Sequence, residues 1–166
     1  MAILSNIKVR HPAKNDLVGR EFTVTGVGSG FEGTIGIRVL NRNGKVLAES
    51  FAQSSGGMAA VGEFSTRLAV PTPPRAGTRL TLQVFGDNPG PGPQPGNDLR
   101  EVEVVMYPDL HGWLLYRVES GDTLTGIVRM ARDFGRTTVP QVVAANPRIT
   151  DPDLIKVGWK LRIPLS

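Results

Sequence analysis

The chain has 166 residues, 40% of them hydrophobic, which suffices for one large domain or two small ones with ordinary cores. Its net charge of +4 comes from 19 basic and 15 acidic residues scattered singly, 11 against 9 in residues 1–108 and 8 against 6 in residues 109–166, so neither half has the basic stripe that specific nucleic-acid binding needs. With no cysteine, disulfides and thiolate metal sites are excluded, and no run approaches the ~18 apolar residues of a membrane-spanning helix.

The opening MAILSNIKVRHPAKN lacks a charged n-region and an apolar h-region, so no Sec signal is expected. The expected location is the cytoplasm or a particle assembled there, or the cell envelope if another route exports the chain. No membrane partner is expected. Residues 7–9 (IKV) then begin a series of short alternating runs: 21–26 (EFTVTG), 34–40 (TIGIRVL), 45–53 (KVLAESFAQ), 63–70 (EFSTRLAV), 78–85 (TRLTLQVF) and 99–106 (LREVEVVM). Alternation with period two gives seven strands, each with one buried face. The inward sets are Ile35, Ile37 and Val39; Phe64, Leu68 and Val70; and Val102, Val104 and Met106. Asn43-Gly44 suits the positive-φ positions of a hairpin turn between the third and fourth runs, and the NPGPGPQPGN stretch at 88–97 reads as a stiff loop. Seven strands at this spacing predict an immunoglobulin-like β-sandwich over residues 5–107, without the antibody Cys and Trp hallmarks.

Residues 107–113 (YPDLHGW) break the pattern at Pro108 and Gly112, and residues 108–114 are expected to be a linker. After it the period changes. Asp122 is the expected N-cap of a helix whose Leu124, Ile127, Val128 and Ala131 share one face, with Gly135 placed to end it. A second helix is predicted from about 140 to 146, capped near Thr138, with Val139, Val142 and Val143 inward and Asn146-Pro147 as its stop. Residues 159–163 (WKLRI) close the unit as a strand. The fold class is therefore mainly β with a small α+β domain: the sandwich, then a β-α-α-β domain over 115–166. Each pattern closes its own core.

The second domain resembles a LysM domain from end to end. The residues that carry the resemblance are Tyr116-Arg-Val118, Ser120-Gly-Asp-Thr-Leu124, Asn146-Pro147, Asp153-Leu-Ile155, Gly158 and Leu161-Arg-Ile-Pro164. The resemblance implies a non-catalytic module that binds N-acetylglucosamine-containing glycan, above all peptidoglycan and also chitin. It implies a shallow groove with Gly121, Asp122, Thr123, Leu124 and Thr125 on one side and Asp151, Pro152, Asp153, Leu154 and Ile155 on the other. A helix-start turn offers backbone donors for acetamido groups, and Leu154 and Ile155 offer apolar surface for their methyls. The same residues also serve as cap and core, and LysM folds occur as assembly modules too. The alternative reading is thus a baseplate component of a phage-tail-like or contractile injection assembly, with protein subunits as partners. The chain departs from the family at Val128, where a small Ala is usual, at Trp159, and in RDFGRTTVPQ between the helices, which is slightly expanded.

The first domain resembles the Gmad family of bacterial immunoglobulin-like domains associated with spore germination. The carriers are residues 7–12 (IKVRHP), Phe22-Thr-Val-Thr-Gly26, Gly30-Phe-Glu-Gly33, Gly44-Lys-Val-Leu47 and Gly62-Glu-Phe64. That resemblance implies a binding or structural role and no activity.

Catalytic constellations fail one by one, so no enzyme and no cofactor is expected. Gly28-Ser-Gly30-Phe-Glu-Gly33 fits the spacing of a dinucleotide-binding loop, yet an alternating strand follows where a helix N-terminus would have to hold the pyrophosphate. His11 and His111 have no second metal ligand at a workable spacing. Ser54-Ser55 sits in no nucleophile elbow. Asp151 and Asp153 share a short turn in a domain too small for a glycosidase cleft. Trp113, Tyr116 and Trp159 either stack on sugar rings or pack against protein.

Overall fold

The computed structural model describes residues 4–87 and 98–166, so the expected loop at 88–97 lies outside the described residues. By packing, the chain forms two compact units. One is built from the described residues of 1–14, 21–73 and 79–104, the other from residues 15–20, 74–78 and 105–166.

In the first unit, β1 (Lys8–His11), β3 (Glu21–Gly28) and β6 (Gly62–Ala69) form an antiparallel sheet in the order β1-β3-β6. β4 (Thr34–Leu40), β5 (Val46–Gln53), β7 (Thr78–Gly86) and β8 (Arg100–Met106) belong to a second sheet, ordered β8-β7-β4-β5. Non-consecutive neighbours such as β3-β6 and β4-β7 give the crossed connections of a Greek-key sandwich. Alternation decides which faces are buried: Ile35, Ile37, Val39, Phe64, Leu68, Val70, Val104 and Met106 are all buried as expected, and Val102 is half-buried.

An eighth strand escaped the sequence reading. β2 (Leu17–Val18) is only two residues long and pairs parallel with the end of β8, Leu17 opposite Val105 and Val18 opposite Met106. So short a segment has no period to detect. The β4-β5 hairpin differs in detail as well. Gly44 alone takes the left-handed conformation, at φ +77°. Its N–H bonds back to Asn41 O at 3.0 Å, while Asn41 Oδ1 accepts from Asn43 N and Lys45 N at 2.9 and 3.0 Å. The turn is therefore the longer kind with a single αL glycine, because the Asn41 side chain organises it.

The Gly28–Gly33 stretch leads through one 3-10 turn at Phe31–Gly33 directly into β4, the strand expected after it.

In the second unit, β9 (Gly112–Arg117) pairs antiparallel with β10 (Lys160–Leu165), with Gly112 opposite Leu165 and Arg117 opposite Lys160. α1 (Leu124–Ala131) and α2 (Val139–Ala145) pack over this hairpin. They share a core of Val118, Leu124, Ile127, Val128, Ala131, Val142, Ile149, Leu161, Ile163 and Leu165. Each Val, Leu or Ile among them, fully buried, contributes about 1.5–3 kcal/mol.

Four expectations need correction here. The residues expected to form a linker at 108–114 are structured. Pro108 follows Tyr107 in a turn closed by Leu110 N–H to Tyr107 O at 2.9 Å, and β9 begins already at Gly112. Pro108 thus marks the second position of a turn, where its fixed φ fits. The N-cap of α1 is Thr123, whose Oγ1 accepts from Gly126 N at 3.1 Å, because the Asp122 carboxylate is turned back toward Glu119. α1 ends at Ala131, four residues before Gly135. Gly135 is instead a point of close approach, where an added Cβ would lie 3.0 Å from Leu165 Cβ. Finally, Trp159 precedes the last strand and closes a turn through its N–H to Lys156 O at 3.1 Å.

The segments at 15–20 and 74–78 complete the second unit. Leu17, Val105, Tyr107 and Ala145 form a small buried cluster against which Leu110 and Trp113 pack. Tyr107 Oη donates to Gln141 O at 2.6 Å. Arg162 lies 3.4 Å from Asp16 and 5.6 Å from the Trp113 ring centre.

Candidate functional site

The groove is built on two tight turns. In the first, Asp122 N–H bonds to Glu119 O at 3.3 Å and Gly121 takes φ +90°. This is the third position of a type II turn, which excludes most side chains. Asp122 Oδ2 accepts from Glu119 N at 2.7 Å and from Tyr116 Oη at 2.9 Å, fastening the turn to β9. The hydrogen bond to Asp122, then burial and the negative charges of Asp122 and Glu119, raise the Tyr116 phenol above its usual 10.0. In the second turn, Asp151 Oδ1 accepts from Asp153 N at 2.9 Å and Asp151 O from Leu154 N at 3.1 Å. Gly158, at φ +86°, then returns the chain to β10.

Between these turns lies a depression of about 130 Å³ lined by Asp122, Thr123, Leu124, Thr125, Val139, Pro152, Asp153 and Ile155. Of the ten residues expected at a groove, the structure brings seven together. Gly121 and Asp151 do not line it; they shape the turns on either side. Leu154 does not line it either and is 66% exposed. Val139 was not expected there. The sequence reading placed it in the core, and it does pack on the core, but its position at the start of α2 also puts it on the groove wall. No local motif marks that double position.

The groove chemistry is mixed. Leu124, Val139 and Ile155 give an apolar wall, while Thr125 and Asp153 are exposed. The first amides of a helix have no intrahelical acceptor. Thr123 Oγ1 takes that of Gly126, so within the helix those of Leu124 and Thr125 have none. Asp122 is already committed twice and serves to position the turn.

The three aromatics weighed for stacking are elsewhere. Trp113 packs on the Leu17, Val105, Tyr107 and Ala145 cluster. Trp159 packs on the helix core with Arg148 5.0 Å from its ring centre. Tyr116 is tied to Asp122. Among the described residues, no group of three or more His, Cys, Asp or Glu side chains could hold a metal ion, and no helix is long and apolar enough to cross a membrane.

Comparison with protein families finds two matches in order. Residues 6–92 match the Gmad2 family model, the immunoglobulin-like domain of bacterial spore germination, and residues 116–164 match the LysM domain model. A comparison with curated proteins finds no match.

Proposed function

Because the chain belongs to the Gmad2 family through residues 6–92 and carries a LysM domain at residues 116–164, we propose that it is a non-catalytic anchoring protein. Its LysM groove holds peptidoglycan through the acetamido group of an N-acetylglucosamine unit. The matched families are binding modules, and the LysM match supports recognition of N-acetylglucosamine-containing glycan. The observation that carries the reading is the groove's composition. The helix-start amides of Leu124 and Thr125 face an acetamido carbonyl, Leu124, Val139 and Ile155 receive its methyl, and Asp153 and the Thr125 hydroxyl bond the ring hydroxyls.

A depression of about 130 Å³ is well below the ~300–1,000 Å³ of a small-molecule pocket. One sugar therefore binds weakly, and a longer oligomer binds more firmly only as far as its neighbouring units make contacts of their own. The test is co-sedimentation of the full chain with purified peptidoglycan. Retention should persist at high salt, because hydrogen bonds and apolar contacts are not screened as charge attraction to a +4 chain would be. A folded chain that binds neither peptidoglycan nor N-acetylglucosamine oligomers would leave protein assembly as the better account.

A further inference from the structure

The second unit has another hollow, which includes Thr138, the residue before the groove-lining Val139 at the start of α2. It measures about 500 Å³ and is lined by Arg132, Gly135, Arg136, Thr137, Thr138, Gln141 and Ser166, whose carbonyl oxygen accepts from Arg136 N at 3.0 Å. Two of its features serve no packing purpose. Neither Arg132 nor Arg136, both exposed, pairs with a carboxylate among the described residues. Thr137 is only 3% exposed, yet its Oγ1 has no hydrogen-bond partner among the described residues. A buried hydroxyl without a partner is costly, and valine would fill the same space without that cost. That oxygen is sealed from solvent, so a threonine here makes sense if the side chain turns to give its proton to an acceptor that enters the hollow.

We infer that this hollow is an oxyanion site. The Arg132 and Arg136 guanidiniums donate to a carboxylate or phosphate group, a geometry to which arginine is suited, and Thr137 Oγ1 adds a third donor. Thr138 is not a ligand. Its Oγ1 donates to Gln141 Oε1 at 3.1 Å and accepts from Gln141 N at 3.4 Å, which holds the start of α2 in place. Thr138 lines the hollow and the next residue, Val139, lines the groove; consecutive Cα atoms are only ~3.8 Å apart. A polymer lying in the groove thus passes beside the hollow. The ligand we assign is the oxyanion of a bacterial wall polymer, either a peptide-stem carboxylate or a phosphodiester. The polymer assignment rests on the glycan reading of the groove; the oxyanion site does not.

The test is an amide-resolved NMR titration of the full chain with inorganic phosphate at constant ionic strength, chloride being replaced stepwise. Saturable shifts are expected at residues 132–138. Arg132→Gln with Arg136→Gln, and separately Thr137→Val, should each raise the dissociation constant about tenfold or more. Thr137→Val guards against a folding artefact, since losing an unpartnered buried hydroxyl should leave the melting temperature unchanged or raised. Shifts that do not saturate, or that survive in the arginine double variant, overturn the site, and undiminished phosphate binding by Thr137→Val overturns the role of the hydroxyl. Muropeptide with free carboxylates and a glycerol-phosphate oligomer then identify the source. If neither binds better to wild type than to the double variant, the polymer assignment is wrong. Thr125→Ala should leave the phosphate titration unchanged, so failure of the groove reading and failure of this one are distinguishable.

Discussion

The Asn146 carboxamide closes a two-point bond with the backbone of Arg162. Its Oδ1 accepts from Arg162 N at 2.8 Å and its Nδ2 donates to Arg162 O at 2.7 Å, while Nδ2 also reaches Val142 O at 2.8 Å. One buried side chain, 3% exposed, thus ends α2 and fixes it to the middle of β10. Pairing the N–H and the C=O of one strand residue requires a donor and an acceptor on one planar group, which an amide side chain supplies.

Asn146→Ala should therefore destabilise the second unit by roughly 1–3 kcal/mol, since the part-buried Arg162 N–H and C=O lose their partners. Asn146→Asp should do no better, because a carboxylate cannot donate to Arg162 O or Val142 O. Urea unfolding followed by Trp113 and Trp159 fluorescence measures this. A midpoint unchanged in both variants would contradict the role.

The Tyr116–Asp122 bond makes a pH prediction. A phenol whose folded pKa lies above its usual 10.0 binds more protons folded than unfolded between those two values, so stability is full below about 10 and falls as pH rises through the folded pKa. The difference in unfolding free energy between wild type and Tyr116→Phe should accordingly shrink above pH 10. A difference that stays flat or widens there would show that the phenol–carboxylate bond is not made.

Residues 113–166 as a fragment should fold, because the core that includes Val118, Leu124, Val142 and Leu161 lies wholly within them. The fragment should be less stable than the same unit in the full chain by about 1–3 kcal/mol, since Leu17, Val105 and Tyr107 no longer cover Ala145 and Trp113. Dispersed amide signals and a lowered urea midpoint are the expected results. Equal stability would mean that the small cluster contributes nothing.

Sequence periodicity made the larger architecture legible. Ile35, Ile37 and Val39 alternate over a full strand, and Leu124, Ile127, Val128 and Ala131 share a full helix face, so the spacing alone marks the buried sides. What could not be read was decided by contacts distant in sequence. β2 exists because Leu17 and Val18 find Val105 and Met106. Gly112–Leu115 is strand because residues 162–165 lie opposite it, and Asp122 lost the cap to Thr123 because Tyr116 and the Glu119 amide claim its carboxylate. In the candidate site, motif residues from two turns pointed to the groove, while Val139 joined it from a third segment. The hollow at Arg132–Gln141 was foreshadowed only by the expanded stretch between the helices.

The most direct test is amide mapping of an N-acetylglucosamine oligomer titrated into the full chain, with Thr125→Ala and Asp153→Ala alongside. Both residues are exposed and neither caps α1 nor fills the core, so their spectra should stay folded. Asp122 is unsuitable for this purpose, because its carboxylate holds the turn. Glycan binding in the groove predicts saturable shifts at residues 122–125, 139 and 153–155 in wild type, weakened about tenfold or more in each variant, as befits a lost hydrogen bond to a polar ligand. Shifts confined to other surfaces, or wild-type titrations matched by both variants, would contradict it.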